Sequence, residues 1–253
     1  MRNVVATGYY QDTEENAIFK IEIIQEEEGL NPIKDCDIGF EMYCWHNSYN
    51  LGTENPFSDP EDFEEYAKDK DCVALPLWLY DHSGITMSCG NANPFSCRWD
   101  SGQVGYAYMD YDMAKKWFLE KDLENWHERA EKYIKAVVRD YALYLEGRCY
   151  GYQTFVYNEF EEEFEDDSAD SCWGFISDKF GIDLVEEIAK WDITSETIYE
   201  TLDELIEKES TKLPTKLQKL EYERDQIEIR IANLNDILEK KNAEIEAERM
   251  VMA

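Results

Sequence analysis

A chain with 57 Asp and Glu against 25 Lys and Arg, a net charge of -32, stays compact only if its like charges point outward from a firm apolar interior, because self-repulsion opposes the compact state. The apolar share of 43% and the aromatic share of 14% are enough for such an interior, and they separate the chain from disordered polyacids. The excess is unevenly placed. Residues 193–253 carry 15 acidic and 9 basic residues, whereas residues 1–192 carry 42 and 16, so the first part holds -26 of the -32. A proteome-wide acidic bias, serving solubility alone, is expected to load both parts more evenly. Charge of this sign repels nucleic acid and anionic membrane and attracts basic surfaces.

No stretch of 18 apolar residues is present, so no membrane span is expected. The opening Met1-Arg2-Asn3-Val4-Val5 lacks an apolar signal core. Seven cysteines, at 36, 44, 72, 89, 97, 149 and 172, are an odd number without repeated spacing. That fits reduced thiols in a cytoplasm better than a disulfide framework.

Residues 3–10 and 17–25 read as a β-hairpin around the polar stretch 11–16, and Phe40 to Trp45 as a further strand. Asp59 and Pro60 supply an N-cap and a first helical residue for a short acidic helix reaching Lys70. Val73 to Tyr80, Ile85 to Ser88 and Gln103 to Met109 read as strands, with a Gly/Asn/Pro-rich loop at 90–94. Trp126, Ala130, Tyr133, Ile134, Val137, Tyr141 and Tyr144 recur at helical steps, and Gly147 is a natural stop. Tyr150 to Tyr157 and Ser171 to Ile176 read as paired strands flanking an acidic loop. A helix is expected over 179–190, and another over Glu196 to Glu209, capped by Thr194-Ser195. Strands mixed with short helices, without regular alternation, point to an α+β fold with a small mixed or antiparallel sheet and packed helices.

After Pro214, Leu217, Leu220, Arg224, Ile227, Ile231, Leu234, Leu238, Lys241 and Ile245 alternate by three and four. This is a heptad seam of about four repeats, and it predicts a coiled coil at about 214–248 that joins copies of the chain. Arg224 and Lys241 weaken the seam and bear on its register. Ile229 and Ile237 lie off it and keep open the alternative of one long helix packed back on the body. The expected organisation is an acidic α+β domain over 1–192 and a helical tail over 193–253.

Three blocks stand out: Tyr80-Asp81-His82-Ser83-Gly84-Ile85, then Phe95-Ser96-Cys97-Arg98-Trp99-Asp100-Ser101-Gly102-Gln103-Val104-Gly105, then Asp170-Ser171-Cys172-Trp173-Gly174-Phe175. Together they resemble a family of small uncharacterised proteins carried by phages, plasmids and conjugative elements. The resemblance covers roughly residues 70–176. It implies a mobile-element setting, and hence a bacterial host cytoplasm, and it assigns no catalytic residue.

Taken as chemistry, the blocks offer a nucleophile, Cys97, with His82 as base and Asp100 as orienting carboxylate, the set a cysteine-dependent hydrolase needs. The plainer alternative is a core cysteine beside a turn histidine. No paired CxxC, no calcium loop, no GxxxxGK and no GxGxxG is present, so neither a metal site nor a cofactor is expected. Acid runs are the other constellation: Glu26-Glu27-Glu28; Asp59, Glu61, Asp62, Glu64 and Glu65; and Glu159, Glu161, Glu162, Glu163, Glu165, Asp166 and Asp167. In the last run Phe160 and Phe164 alternate with the acids at helical spacing, which suggests an anchored surface; a solvated loop is the alternative. The leading expectation is an inhibitor that mimics nucleic acid and blocks a basic nucleic-acid-binding host protein of the restriction or CRISPR kind. It would bind no nucleic acid itself, and it is not expected to be an enzyme. An oligomeric scaffold is the second expectation.

Overall fold

A computed structural model describes residues 3–13, 17–209 and 215–251. The chain is α+β and divides into two compact units. The first comprises residues 1–7, 22–153 and 171–195; the second comprises 8–21, 154–170 and 196–253. No helix is long and apolar enough to cross a membrane among the described residues.

The first unit is built on a four-stranded antiparallel sheet in the order β3 (Glu41–Cys44), β6 (Ser101–Asp110), β4 (Cys72–Asp81), β5 (Ile85–Cys89). Strict alternation in β4 turns Val73, Leu75, Leu77 and Leu79 to one face. The 20-residue α3 (Trp126–Leu145) covers them with Trp126, Ala130, Ile134, Val138 and Tyr141. It ends at Gly147, whose φ of +75° suits the left-handed stop; its N–H bonds Tyr144 O at 2.9 Å while Arg148 N bonds Leu143 O at 2.9 Å. Pro76 is tolerated beside β5 because its carbonyl still accepts from Gly90 N at 3.0 Å, while Gly90 O takes the Trp78 indole N–H at 2.8 Å in place of the backbone donor that proline lacks. At Gly105, β3 and β6 approach so closely that a Cβ would lie 2.0 Å from Tyr43 O.

The other face of this sheet carries an aromatic nest of Tyr43, Phe63 and Tyr108, flanked by Trp45, Phe57 and Tyr106. Phe63 comes from α1 (Pro60–Ala67), capped at Asp59 as expected. A short α2 (Tyr111–Trp117) was not legible beforehand; Asp110 caps it by accepting from Met113 N at 2.9 Å. The helix α4 (Gly181–Asp192) buries Leu184, Val185, Ile188 and Ala189.

A second sheet runs β1 (Val4–Asp12), β2 (Ala17–Gln25), β7 (Cys149–Asn158), β8 (Glu163–Phe164), with β9 (Asp170–Ile176) also on β7. The expected single small sheet is therefore two sheets. The β1–β2 hairpin and the β7–β9 pairing match expectation, while residues 14–16 of the hairpin turn lie outside the described residues. In the second unit, Ile18, Tyr157 and Leu205 form a small core with Tyr9, Phe164, Tyr199, Leu202 and Ile206.

Two local expectations are corrected there. The helix expected over 196–209 is only α5 (Leu202–Lys208), capped by Thr201 and not by Thr194 or Ser195. Tyr199, upstream of it, is held in a bridge to Tyr9 (N···O 2.9 and 2.8 Å), which extended backbone can make and helix cannot. Phe160 and Phe164 do not share a helix either, since residues 159–162 are a turn and 163–164 are β8. The C-terminal helix α6 runs from Lys216 to Val251, and the break expected at Pro214 falls outside the described residues.

Candidate functional site

The acidic cluster of the second unit is a built feature, and its construction starts at Asn158. The Asn158 side-chain oxygen accepts from Phe160 N (3.0 Å) and Glu161 N (3.2 Å), and its carbonyl accepts from Glu162 N (2.8 Å). This closes an Asx turn in which Glu162 takes a left-handed φ of +58°. The chain then returns as β8, with Tyr157 opposite Phe164 and Asn158 opposite Glu163. Phe164 sets its ring 5.0 Å from Tyr157 and 5.8 Å from Tyr9. Phe160 stacks on Tyr222 of α6 at 4.5 Å, and Lys219 of α6 pairs with Glu162. Glu161, Glu163, Glu165, Asp166 and Asp167 surround a hollow of about 370 Å³ and are exposed. Glu159 is half-buried. The two phenylalanines do anchor the acids, but across a turn and a strand.

In the first unit, Asp59 accepts from Asp62 N at 2.9 Å and opens α1, whose Glu61, Asp62, Glu64 and Glu65 all face solvent. Phe63 lies 1% exposed between them, with ring centroids 5.0 Å from Tyr106, 5.5 Å from Tyr43 and Phe57, and 5.7 Å from Tyr108. The Tyr106 hydroxyl donates to Glu64 at 2.5 Å. Glu61 and Asp62 in the first turn meet the positive end of the helix dipole. The third run is less uniform than its spelling. Glu26 is partly buried, its carboxyl raised above the usual range by desolvation and opposed by the Gly174 backbone, so only Glu27 and Glu28 are exposed.

The hydrolase residues do meet. Cys97 Sγ donates to Asp100 Oδ2 at 3.0 Å, and His82 Nδ1 lies 3.5 Å from the same oxygen. The order is Cys–Asp–His, with the carboxylate in the middle, whereas a thiol nucleophile needs the imidazole beside it. The same knot ties the loop down: Ser101 Oγ donates to Cys97 O at 2.6 Å and Asp81 N to Asp100 O at 2.8 Å. It carries Trp99 outward, 96% exposed. Burial pushes Cys44 up to about 12 and Cys89 up to about 11, away from thiolate chemistry. The Asp-Ser-Cys-Trp-Gly-Phe block has a packing role. Trp173 lies over Gly151, where a Cβ would sit 2.0 Å from its ring, and Phe175 lies 5.8 Å from Tyr152.

Sequence reasoning missed a cleft of about 560 Å³ in the first unit, lined by Asp140, Phe175, Ser177, Glu187, Trp191 and Asp192. Two of its three acids are engaged, Asp192 accepting from the Tyr152 hydroxyl at 3.0 Å and Glu187 from Ser177, while burial raises the Asp140 carboxyl above its usual range. It also missed Phe63 and Asn158 as anchors, although an Asn shortly before a run of acids is a turn signal. Among the described residues no group of three or more His, Cys, Asp or Glu is placed to hold a metal ion.

The seam of α6 stands in water. Leu217, Leu220, Ile227, Ile231, Leu234, Leu238 and Ile245 are each 50–66% exposed, as are Ile229 and Ile237. The helix meets residues 158–162 near its start, through Lys219 and Tyr222. No family model matches this chain, and no curated protein or solved structure does.

Proposed function

We propose that the chain is a mobile-element inhibitor that offers carboxylates where nucleic acid offers phosphates, and so blocks a basic nucleic-acid-handling defence enzyme in the host cytoplasm. The observation that carries this reading is the hollow at 158–167, where five carboxylates converge on a turn held by Asn158, Phe160 and Phe164. Acids on a fixed frame lose less ordering entropy on binding than acids on a floating tail. Duplex DNA carries one charge per roughly 1.7 Å of axis, so a dense, fixed array is what a cationic groove accepts. The cluster on α1 is fixed by different means and supports the same reading. In this reading α6 is a coiled coil that joins copies.

The test uses the full chain immobilised at low salt in host lysate. A nucleic-acid-binding protein should be retained, and either salt or duplex DNA should release it. The five-fold variant E161Q/E163Q/E165Q/D166N/D167N should retain much less. Equal retention by that variant and by one neutralised at Glu61, Asp62, Glu64 and Glu65 would end the mimicry reading.

A second reading, an oligomeric scaffold, is favoured by the exposed stripe of α6. It predicts assembly without salt-sensitive capture of a basic protein.

A further inference from the structure

The aliphatic stripe on α6 is too regular and too exposed to be left to water, and three observations identify its cover. The first is which side of the helix is already used. With Leu217 at heptad position a, the contacts to residues 158–162 come from Lys219 at c and Tyr222 at f, the outer positions of a heptad. The a/d stripe therefore faces away from residues 158–162. The second is area. Seven Leu and Ile residues, each at least half exposed, offer on the order of 100 Å² apiece, and the five from Ile227 to Ile245 on two copies together remove on the order of 1,000 Å² when paired, close to what specific interfaces bury.

The third observation is charge, and it selects an orientation. A parallel pair in register stacks Arg224 on Arg224 and Lys241 on Lys241, and sets Glu223 beside Glu228 of the other copy. Each is a like-charge contact. An antiparallel pair with its two-fold axis beside Asp236 has none of these. Leu234 then meets Leu238, Ile227 meets Ile245, and Lys241 meets Ile231. Asn235 faces its own counterpart on one flank, and Ile237 does so on the other. This accounts for Ile237, which a seam of a and d residues alone leaves unexplained.

We propose that α6 pairs with the α6 of a second copy in this antiparallel register. The proposal rests on the coiled-coil part of the function proposed above and adds its partner and direction. Because Lys219 and Tyr222 hold the 158–162 turn at the start of α6, antiparallel pairing puts the two acidic turns about 40 Å apart, at 1.5 Å of rise per residue. Parallel pairing would bring them side by side against their mutual repulsion. At 40 Å they are several Debye lengths apart, about 8 Å each at physiological salt.

The experiment uses the full chain with a photo-crosslinking residue in place of Glu223, mixed as isotopically heavy and light copies, with mass measured by light scattering. A two-copy mass is expected, with heavy–light crosslinks landing beyond Ile245. Crosslinks beside Glu228 would establish the parallel arrangement and overturn the orientation. A monomer, or a mass above two copies, would overturn the pairing itself without touching the acidic-surface reading, whose lysate test is separate. Two variants add a check within the folded chain. Ile237→Asp should weaken dimerisation by about tenfold or more, whereas Ile229→Asp, equally exposed but at the outward f position, should leave it unchanged. Equal effects of the two would also overturn the register.

Discussion

The two acidic clusters carry similar charge and are held by opposite strategies. On α1 the acids belong to a capped helix, and one buried ring, Phe63, drives the whole element into an aromatic nest. At 158–167 no single residue is so deeply seated. The turn is held by Asn158, by half-buried Phe160 and Phe164, and by an ion pair to α6. In the first case the acids help: Glu61 and Asp62 face the positive end of a helix. In the second they face mainly one another around a hollow. Clustered charge is therefore not one physical situation, and substitutions should separate the two.

The largest difference should come from the anchors. Phe63→Ala should cost about 3–5 kcal/mol of the first unit's stability, the usual range for emptying a buried aromatic site. Phe160→Ala should cost about 1 kcal/mol, because its ring is only half covered. Urea unfolding of the two variants, read by tryptophan fluorescence and circular dichroism, checks the ranking, and a reversed order would break the contrast. Next in size are the turn-makers. Asp59→Ala removes a cap and should cost about 1 kcal/mol. Asn158→Ala releases two backbone N–H groups and should cost a similar amount, about 1–2 kcal/mol. The smallest effects should differ in sign. Neutralising Glu61 and Asp62 should destabilise by about 0.3–1 kcal/mol each through the lost dipole interaction. The five-fold neutralisation around the hollow should raise the melting temperature slightly at low salt, and the gain should shrink as salt is added. A loss of stability there would mean that the hollow's acids are supported by partners comparable to those of α1.

How far each part was legible follows from the range of the forces that build it. The Asp59 cap, strand β4, helix α3 and the stop at Gly147 are set by neighbours within a few residues, and all stood in the sequence. The aromatic nest was not legible, because Phe63 meets Tyr43, Tyr106 and Tyr108 from segments distant in sequence. Phe160 and Phe164 show how a spacing misleads: four residues is one helical turn, but it is also the reach from a tight turn to the strand that follows. The Tyr9–Tyr199 bridge likewise overrode a plausible helix over 196–201 with a pairing that no local signal announces. Cys97, His82 and Asp100 lie together in the structure, but which of them sits in the middle depended on a loop path that composition does not encode.

The floor beneath α1 has a consequence for alkali. Burial raises the Tyr43 phenol to about 12, and burial also raises Tyr106 and Tyr108, each with help from neighbouring groups. An unfolded chain gives up such protons near pH 10. The folded first unit therefore keeps protons that its unfolded form releases, and stability fully present below pH 10 is lost as pH climbs toward 12. The melting temperature of the first unit should fall between pH 10 and 12, with the share of tyrosinate absorbance at 295 nm that Tyr43, Tyr106 and Tyr108 contribute rising only as the unit opens. The rings that fix negative charge on one side of the helix thus set an upper pH limit on the surface they support.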